Sequence, residues 1–266
     1  MFLAKIFYPI VHPLFFIKKL CFWIGFSILI FCFGLISLLG YFIYRLPDLE
    51  KMSFSQLENV ARQSVLKKLN NKKKLYKWIP IKNINRDCIY TVVFAEDSTF
   101  YTHNGFNYDA IINAFAENFR QKRLAYGAST ISQQVAKNLF LTSEKSFSRK
   151  IQEIFLTRDL EQYFTKNQII EIYLNIAEFG PDIFGINAAA HYYLGKSPQD
   201  INAGEGAMLA LMLPSPIKNH YSIYKNKNLS QKKKRKIKRI LKEMLINEFI
   251  SQDQYLSYLN FSFSPS

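Results

Sequence analysis

The sequence has little cysteine, few acids and no pattern of alternating apolar and polar residues. Only three cysteines occur, and Cys21 and Cys32 fall inside a long apolar run, so Cys88 is the sole thiol left for the rest of the chain. That excludes an intramolecular disulfide downstream and a zinc site of cysteine type. Without a period-two run of any length, and without an internal repeat, a strand-built or solenoid fold is excluded as well. Acids are outnumbered, 20 against 35 Lys and Arg, for a net charge of +15. The first 44 residues hold three lysines and no acid, which leaves +12 on the rest of the chain.

The apolar run itself is the first positive feature. From Leu20 to Tyr44 no charged residue occurs, and as a helix this stretch would be about 37 Å long at 1.5 Å per residue. That exceeds the roughly 30 Å hydrocarbon core, so a tilted transmembrane anchor is expected. A cleaved signal peptide would need a shorter run and small residues at its end. Here the end is Tyr41-Phe42-Ile43-Tyr44. Lys5, Lys18 and Lys19 precede the span, while Arg45, Lys51, Lys67 and Lys68 come after it, so the charge rule favours a cytoplasmic N-terminus only weakly. A basic domain beside a bilayer attracts anionic headgroups and phosphate-bearing ligands. Nucleic acid, the other usual partner of a basic chain, is disfavoured by the span.

The expected organisation is a cytoplasmic N-terminus over 1–19, the anchor over 20–44, a stalk and entry segment over 45–79 with the basic stretch Lys72–Lys77, and one mostly α-helical domain over 80–266. Ile111, Ile112, Phe115 and Phe119 recur at helical spacing. Thr165-Lys-Asn-Gln168 is a capping box opening a helix through Ile176. Ala188–Tyr193 and Ala203–Leu213 suit tightly packed helices, the second stopped by Pro214 and Pro216.

Three polar clusters stand out. Glu96-Asp97 comes directly after the apolar run Val92–Ala95, with His103 and Gly105 close behind. A carboxylate forced to a cleft wall can act as acid or base, although ordinary exposed acids at a helix end are the better reading of this pair taken alone. The second cluster is Gly127-Ala-Ser129-Thr130-Ile-Ser-Gln133-Gln134-Val-Ala-Lys137-Asn138, a helix start with Gln134 and Lys137 on one face. Helix N-termini with hydroxyls and a lysine suit phosphate or sugar oxygens; a solvated surface is the alternative. The third is Arg149-Lys150-Ile-Gln-Glu153, where both cations lie one turn before the acid, the poorer order for a purely stabilising pair.

Glu96-Asp97-x-x-Phe100-x-x-His103-x-Gly105, Gly127-x-Ser129-Thr130-Ile131-x-Gln133-Gln134-x-x-Lys137-Asn138, Arg149-Lys150-x-x-Glu153 and Lys166-x-x-Ile169-Ile170-Glu171-x-Tyr173-Leu174-Asn175 occur one after another along the chain. In that order they resemble the motifs of the peptidoglycan glycosyltransferases. A further match is Phe184-Gly185-Ile186-x-Ala188-Ala189, with Tyr192-Tyr193 and Gly195-Lys196 after it. The resemblance covers roughly residues 88–216, and the single anchor and chain length imply the monofunctional biosynthetic form. One departure is Asn107, where the family usually has Asp; asparagine keeps a cap but not a charge.

The resemblance implies a lysozyme-like helical domain with a small membrane-facing lobe, in the bacterial inner membrane with the catalytic domain on the periplasmic side. It implies polymerisation of lipid II into β-1,4-linked glycan by inverting transfer, with a polyprenyl-pyrophosphate-linked glycan as donor. Glu96 would be the general base and Glu153 an organiser of the pyrophosphate site. Asp97, His103, Ser129, Gln134, Lys137, Asn138, Arg149 and Lys150 would bind substrate, while Glu171 and Tyr173 would support the cleft. No essential cofactor is implied; a divalent cation, Mg or Mn, is the candidate metal at Glu153. Membrane lipids and other cell-wall synthesis proteins are the expected partners. A lysozyme-like hydrolase and a non-catalytic membrane scaffold are the rival readings.

From Lys225 to Arg239 the chain carries nine Lys and Arg and no acid. This run is either a solvated helix face or a contact that holds the domain against an anionic leaflet.

Overall fold

The computed structural model describes residues 4–69, 76–121, 129–142, 144, 146–227 and 229–259, with side chains from residue 16 onward. Gly127, part of the second motif, and Lys72–Lys74 lie outside the described residues. The chain divides into two units, Met1–Leu46 and Pro47–Ser266.

The first unit is one helix, α1 (Ala4–Tyr44). Its stretch Phe16–Tyr44 is long and apolar enough to cross a membrane, and none of it is buried within the protein. The helix starts well before the expected boundary at residue 20. Both of its cysteines are exposed.

The second unit is mostly α-helical. Its helices are α2 (Phe54–Lys68), α3 (Arg86–Glu96), α4 (Tyr108–Gln121), α5 (Ile131–Phe140), α6 (Phe147–Tyr163), α7 (Lys166–Ile176), α8 (Ile186–Leu194), α9 (Ala203–Ala210), α10 (Pro216–Asn219), α11 (Gln231–Ile246) and α12 (Gln252–Leu259). Four of them open on capping boxes: Ser53 with Gln56, Thr130 with Gln133, Thr165 with Gln168 and Asn202 with Glu205. In each, side chains satisfy first-turn N–H groups that would otherwise be orphaned. Pro216 begins α10 instead of merely ending α9, as its fixed φ allows at a first helical position.

Helix α7 is the centre of the core, with Ile169 through Ile176 all buried. It packs against α2, α5 and α6, while α3 packs against α9 and α11. The residues expected to form a stalk therefore contribute a core helix: Leu57, Ala61 and Val65 of α2 are buried against α7. The apolar stripe of α2 is too sparse to stand out among its charged residues, which is why it reads as linker. A short antiparallel pair, β1 (Glu178–Gly180) and β2 (Ile183–Phe184), comes after α7; at three and two residues it is too brief to leave a periodic signal.

Helix α4 has the expected period but the opposite environment. None of its residues is buried, and Ile112, Phe115 and Phe119 are 65%, 75% and 81% exposed. An uncovered apolar face of this size marks an interaction surface.

Candidate active site

Glu96 is the last residue of α3 and Asp97 its C-cap. The two carboxylates face different surroundings. Glu96 is half-buried; its Oε2 accepts from Gln134 Nε2 of α5 at 3.4 Å, and its Oε1 stands 3.6 Å from Lys236 Nζ of α11. Asp97 is 7% exposed. Its Oδ2 accepts from the first N–H of α5, Ile131, at 3.0 Å, and both oxygens lie 3.1 Å from His103 Nε2. The Gly105 N–H donates to His103 Nδ1 at 3.0 Å. Nδ1 is thereby an acceptor, and the Nε2–H donates to Asp97.

Asp97 and His103, expected on the substrate, thus tie the loop after α3 to the start of α5. Lys166 closes the same brace, donating to the His103 carbonyl at 2.6 Å and pairing with Glu161 at 2.7 Å. Thr130 Oγ1 donates to the Gly105 carbonyl at 2.7 Å. Gly105 itself has φ +90°, and a Cβ there would come within 2.9 Å of Thr157 Cγ2. Only glycine meets both demands. Asn107 is a cap: its Oδ1 accepts from Ala110 N–H at 2.8 Å and its Nδ2 donates to Thr99 Oγ1 at 2.7 Å.

Gln134, Lys137 and Asn138 line a cavity of about 230 Å³ together with Lys68, Tyr173 and Glu178. Helical spacing on α5 sets the first three on one face, while Gln133 turns back into its capping box. Lys137 has no ion-pair partner among the described residues. Across the cavity, burial pushes the Lys68 ammonium down, Glu178 opposes this and the charge of Lys137 adds to it. Burial, and then the charges of Glu96 and Asp97, hold the Tyr173 phenol well above its ordinary pKa, so it stands neutral beside them. Ser129 is exposed just before the cap of α5. Lys68 from the supposed stalk, Glu178 after α7 and Lys236 from the basic run are charged residues at the site that the sequence left unassigned; Lys68 and Glu178 are 110 positions apart and Lys236 and Glu96 140, beyond any local pattern. A larger cavity of about 560 Å³ against α11 contains no motif residue.

On α6, Glu153 is 3% exposed. It is gripped by Lys150 and, at 3.5 Å, by Arg149 Nη1. The Arg149 Nε–H is buried with no partner among the described residues. A divalent cation on Glu153 would be set against two positive groups, and no cluster of three acidic, His or Cys ligands occurs among the described residues. This donor set does not fit a metal.

Glu171 and Asn175 of α7 hold the segment before α3. Glu171 accepts from Trp78 Nε1 at 3.2 Å and from Ile81 N–H at 2.9 Å. Asn175 exchanges two 2.9 Å bonds with the backbone of Ile79. Both are supports of the cleft wall.

The family model described as Transglycosylase matches residues 62–245. Several similar proteins carry the name biosynthetic peptidoglycan transglycosylase, among them the following three. That of Nitrosospira multiformis is 39% identical over 189 residues, 71% of this chain and 80% of the relative. That of Herminiimonas arsenicoxydans is 40% identical over 179 residues, 67% and 75%. That of Pasteurella multocida is 46% identical over 142 residues, 53% and 57%. Penicillin-binding protein 1A from Haemophilus influenzae superposes with a TM-score of 0.32 at 23% identity, over 51% of this chain and 16% of that one, too slight a likeness to bear on the assignment. With the family model spanning α2 to α11 and relatives 39% and 40% identical over 80% and 75% of their length, the chain belongs to the transglycosylase family of peptidoglycan glycosyltransferases.

Proposed function

We propose that this enzyme polymerises lipid II into β-1,4-linked glycan, with the growing polyprenyl-pyrophosphate-linked strand as donor and a second lipid II as acceptor. Glu96 takes the proton of the acceptor 4-hydroxyl as that oxygen attacks the anomeric carbon of the donor. The bond from that carbon to the pyrophosphate oxygen breaks, the leaving group departs with the electron pair, and the configuration inverts. Lys137 and Arg149 receive the negative charge that develops on the departing pyrophosphate, Lys150 and Glu153 fix the Arg149 side of that site, and Gln134 orients Glu96. The role of Ser129 and Asn138 is to bind donor oxygens.

The observation that carries this reading is a partly exposed carboxylate set beside a cavity-lining lysine that has no ion-pair partner among the described residues. Glu96 is within reach of the same α5 face whose Lys137 lines the cavity with no ion-pair partner among the described residues. Glycoside hydrolysis usually needs two available carboxylates. Here Asp97 is committed to Ile131 and His103, Glu153 to Arg149 and Lys150, and Glu178 faces the Lys68 ammonium across the cavity. That disfavours the hydrolase reading. The exposed apolar face of α4 and the spanning helix α1 both suit a protein working on a lipid-linked substrate at a membrane, with the catalytic unit on the periplasmic side.

The test is incubation of the purified protein with labelled lipid II in detergent. Polymer that lysozyme digests is expected. Cleavage of finished peptidoglycan without polymer would establish the hydrolase instead, and neither activity would leave the scaffold.

A further inference from the structure

The basic run ahead of residue 240 does not present all its charge to solvent. Helix α11 lies against α3 and α9, burying Ile240, Leu241 and Met244. Lys236 is one turn before Ile240 on that inner stripe. While Lys232, Lys234 and Arg235 are exposed, the Lys236 side chain is only 23% exposed and its Nζ lies 3.6 Å from Oε1 of Glu96, itself 13% exposed. Burial first, and then Arg239, push the Lys236 ammonium below the ordinary lysine range, while Glu96 opposes them. A lysine on the buried stripe of a helix is costly unless paired. Glu96 is that partner.

Other groups face Glu96 too. From α5, Gln134 donates to Oε2. From α7, the Tyr173 phenol is neutral. From the adjoining loop, Asp97 is engaged by His103 and Ile131. The acid of α9, Glu205, acts on Cys88 toward the other end of α3 and pairs with Lys196 at 2.7 Å. Among the described residues, Lys236 is the one cation within ion-pair distance of Glu96.

We infer that Lys236 is a positioning residue that keeps Glu96 ionised and aimed while the anionic substrates fill the cleft. The inference rests on Glu96 being the base. Its physical ground is a conflict built into the reaction: pyrophosphate groups bring negative charge toward a carboxylate that must stay deprotonated to work. Like charges nearby favour the protonated carboxyl, and an opposite charge at close range favours the carboxylate. A glutamic acid already holding a proton cannot accept the one from the acceptor hydroxyl. Lys236 Nζ meets Oε1 and Gln134 Nε2 meets Oε2, so Oε1 is held by charge and Oε2 by a weak neutral donor that an acceptor hydroxyl can displace.

The experiment compares rates of lipid II polymerisation by the full chain, K236M, K236R and E96Q from about pH 5.5 to about pH 8.5, with melting curves for each. K236M is expected to run close to wild type at the alkaline end and to lose about tenfold more than wild type at the acid end, with K236R restoring the profile. The double variant E96Q/K236M should be no slower than E96Q. A K236M rate reduced by the same factor at every pH, or unchanged at every pH, overturns the inference. If K236M fails to fold, K236Q carries the same comparison. An E96Q enzyme that keeps wild-type turnover overturns instead the assignment of the base, whatever the Lys236 variants do.

Discussion

Two regions meet at the end of α3, and their adjacent carboxylates show what separates a reactive group from a brace. Glu96 has one long hydrogen bond and one ion pair, at 3.4 and 3.6 Å, and keeps part of its surface open. One residue later, Asp97 is held by contacts of 3.0 and 3.1 Å from two directions and is closed to solvent. A base needs a lone pair free for the proton it will take. A brace needs the reverse, with every lone pair committed, because an unsatisfied buried carboxylate would cost more than it stabilises. Chain geometry produces the contrast: the helix ends between the two residues, so their side chains leave in different directions.

The largest effect expected from breaking this contrast is at Glu96. E96Q should lower polymerisation about 10²- to 10⁴-fold, the usual scale for losing a general base, with a melting temperature within error of wild type. A comparable loss of stability would put Glu96 with the braces. D97A should do the opposite. Removing the acceptor of Ile131 N–H and His103 Nε2–H should cost about 3 kcal/mol in denaturant unfolding, and any fall in rate should track the unfolded fraction.

Lys137→Ala and Arg149→Ala extend the comparison to the leaving-group side. Each should weaken donor binding by about 1.5 to 3 kcal/mol, as expected for a charge-assisted contact to an oxyanion, with stability nearly unchanged for Lys137. Donor titrations that overlay wild type would leave Lys137 as solvated surface and Arg149 as no more than a partner of Glu153. The smallest effect should come from N107D. Asp and Asn cap helices about equally well, so stability should move by no more than about 0.5 kcal/mol and activity by less than about twofold. A large gain in activity would mean the charge usual at this position acts on substrate.

Much of the site was legible because its local parts are local in sequence. The capping boxes at Thr130 and Thr165, the shared face of Gln134 and Lys137, and the Arg149–Lys150–Glu153 turn arise from spacing alone. What spacing cannot express is which neighbour a side chain turns toward. The resemblance implied that Asp97 and His103 bind substrate, yet the fold engages both internally. Lys68 sat in a supposed stalk and Lys236 in a run of like charges, where nothing distinguishes one lysine from the next. The apolar stripe of α4 was visible, but a stripe does not say whether protein will cover it.

The sequence by itself determined the membrane-spanning helix, the helical class, the motif order and so the family, since apolar length, helical period and residue spacing are carried by neighbouring residues. Only the tertiary structure decided that Glu96 is open and Asp97 closed, that α2 belongs to the core, and that Lys236 alone among its basic neighbours faces the carboxylate. Those outcomes depend on how α2, α5, α7 and α11 dock, and docking sets burial and charge partners between residues far apart along the chain.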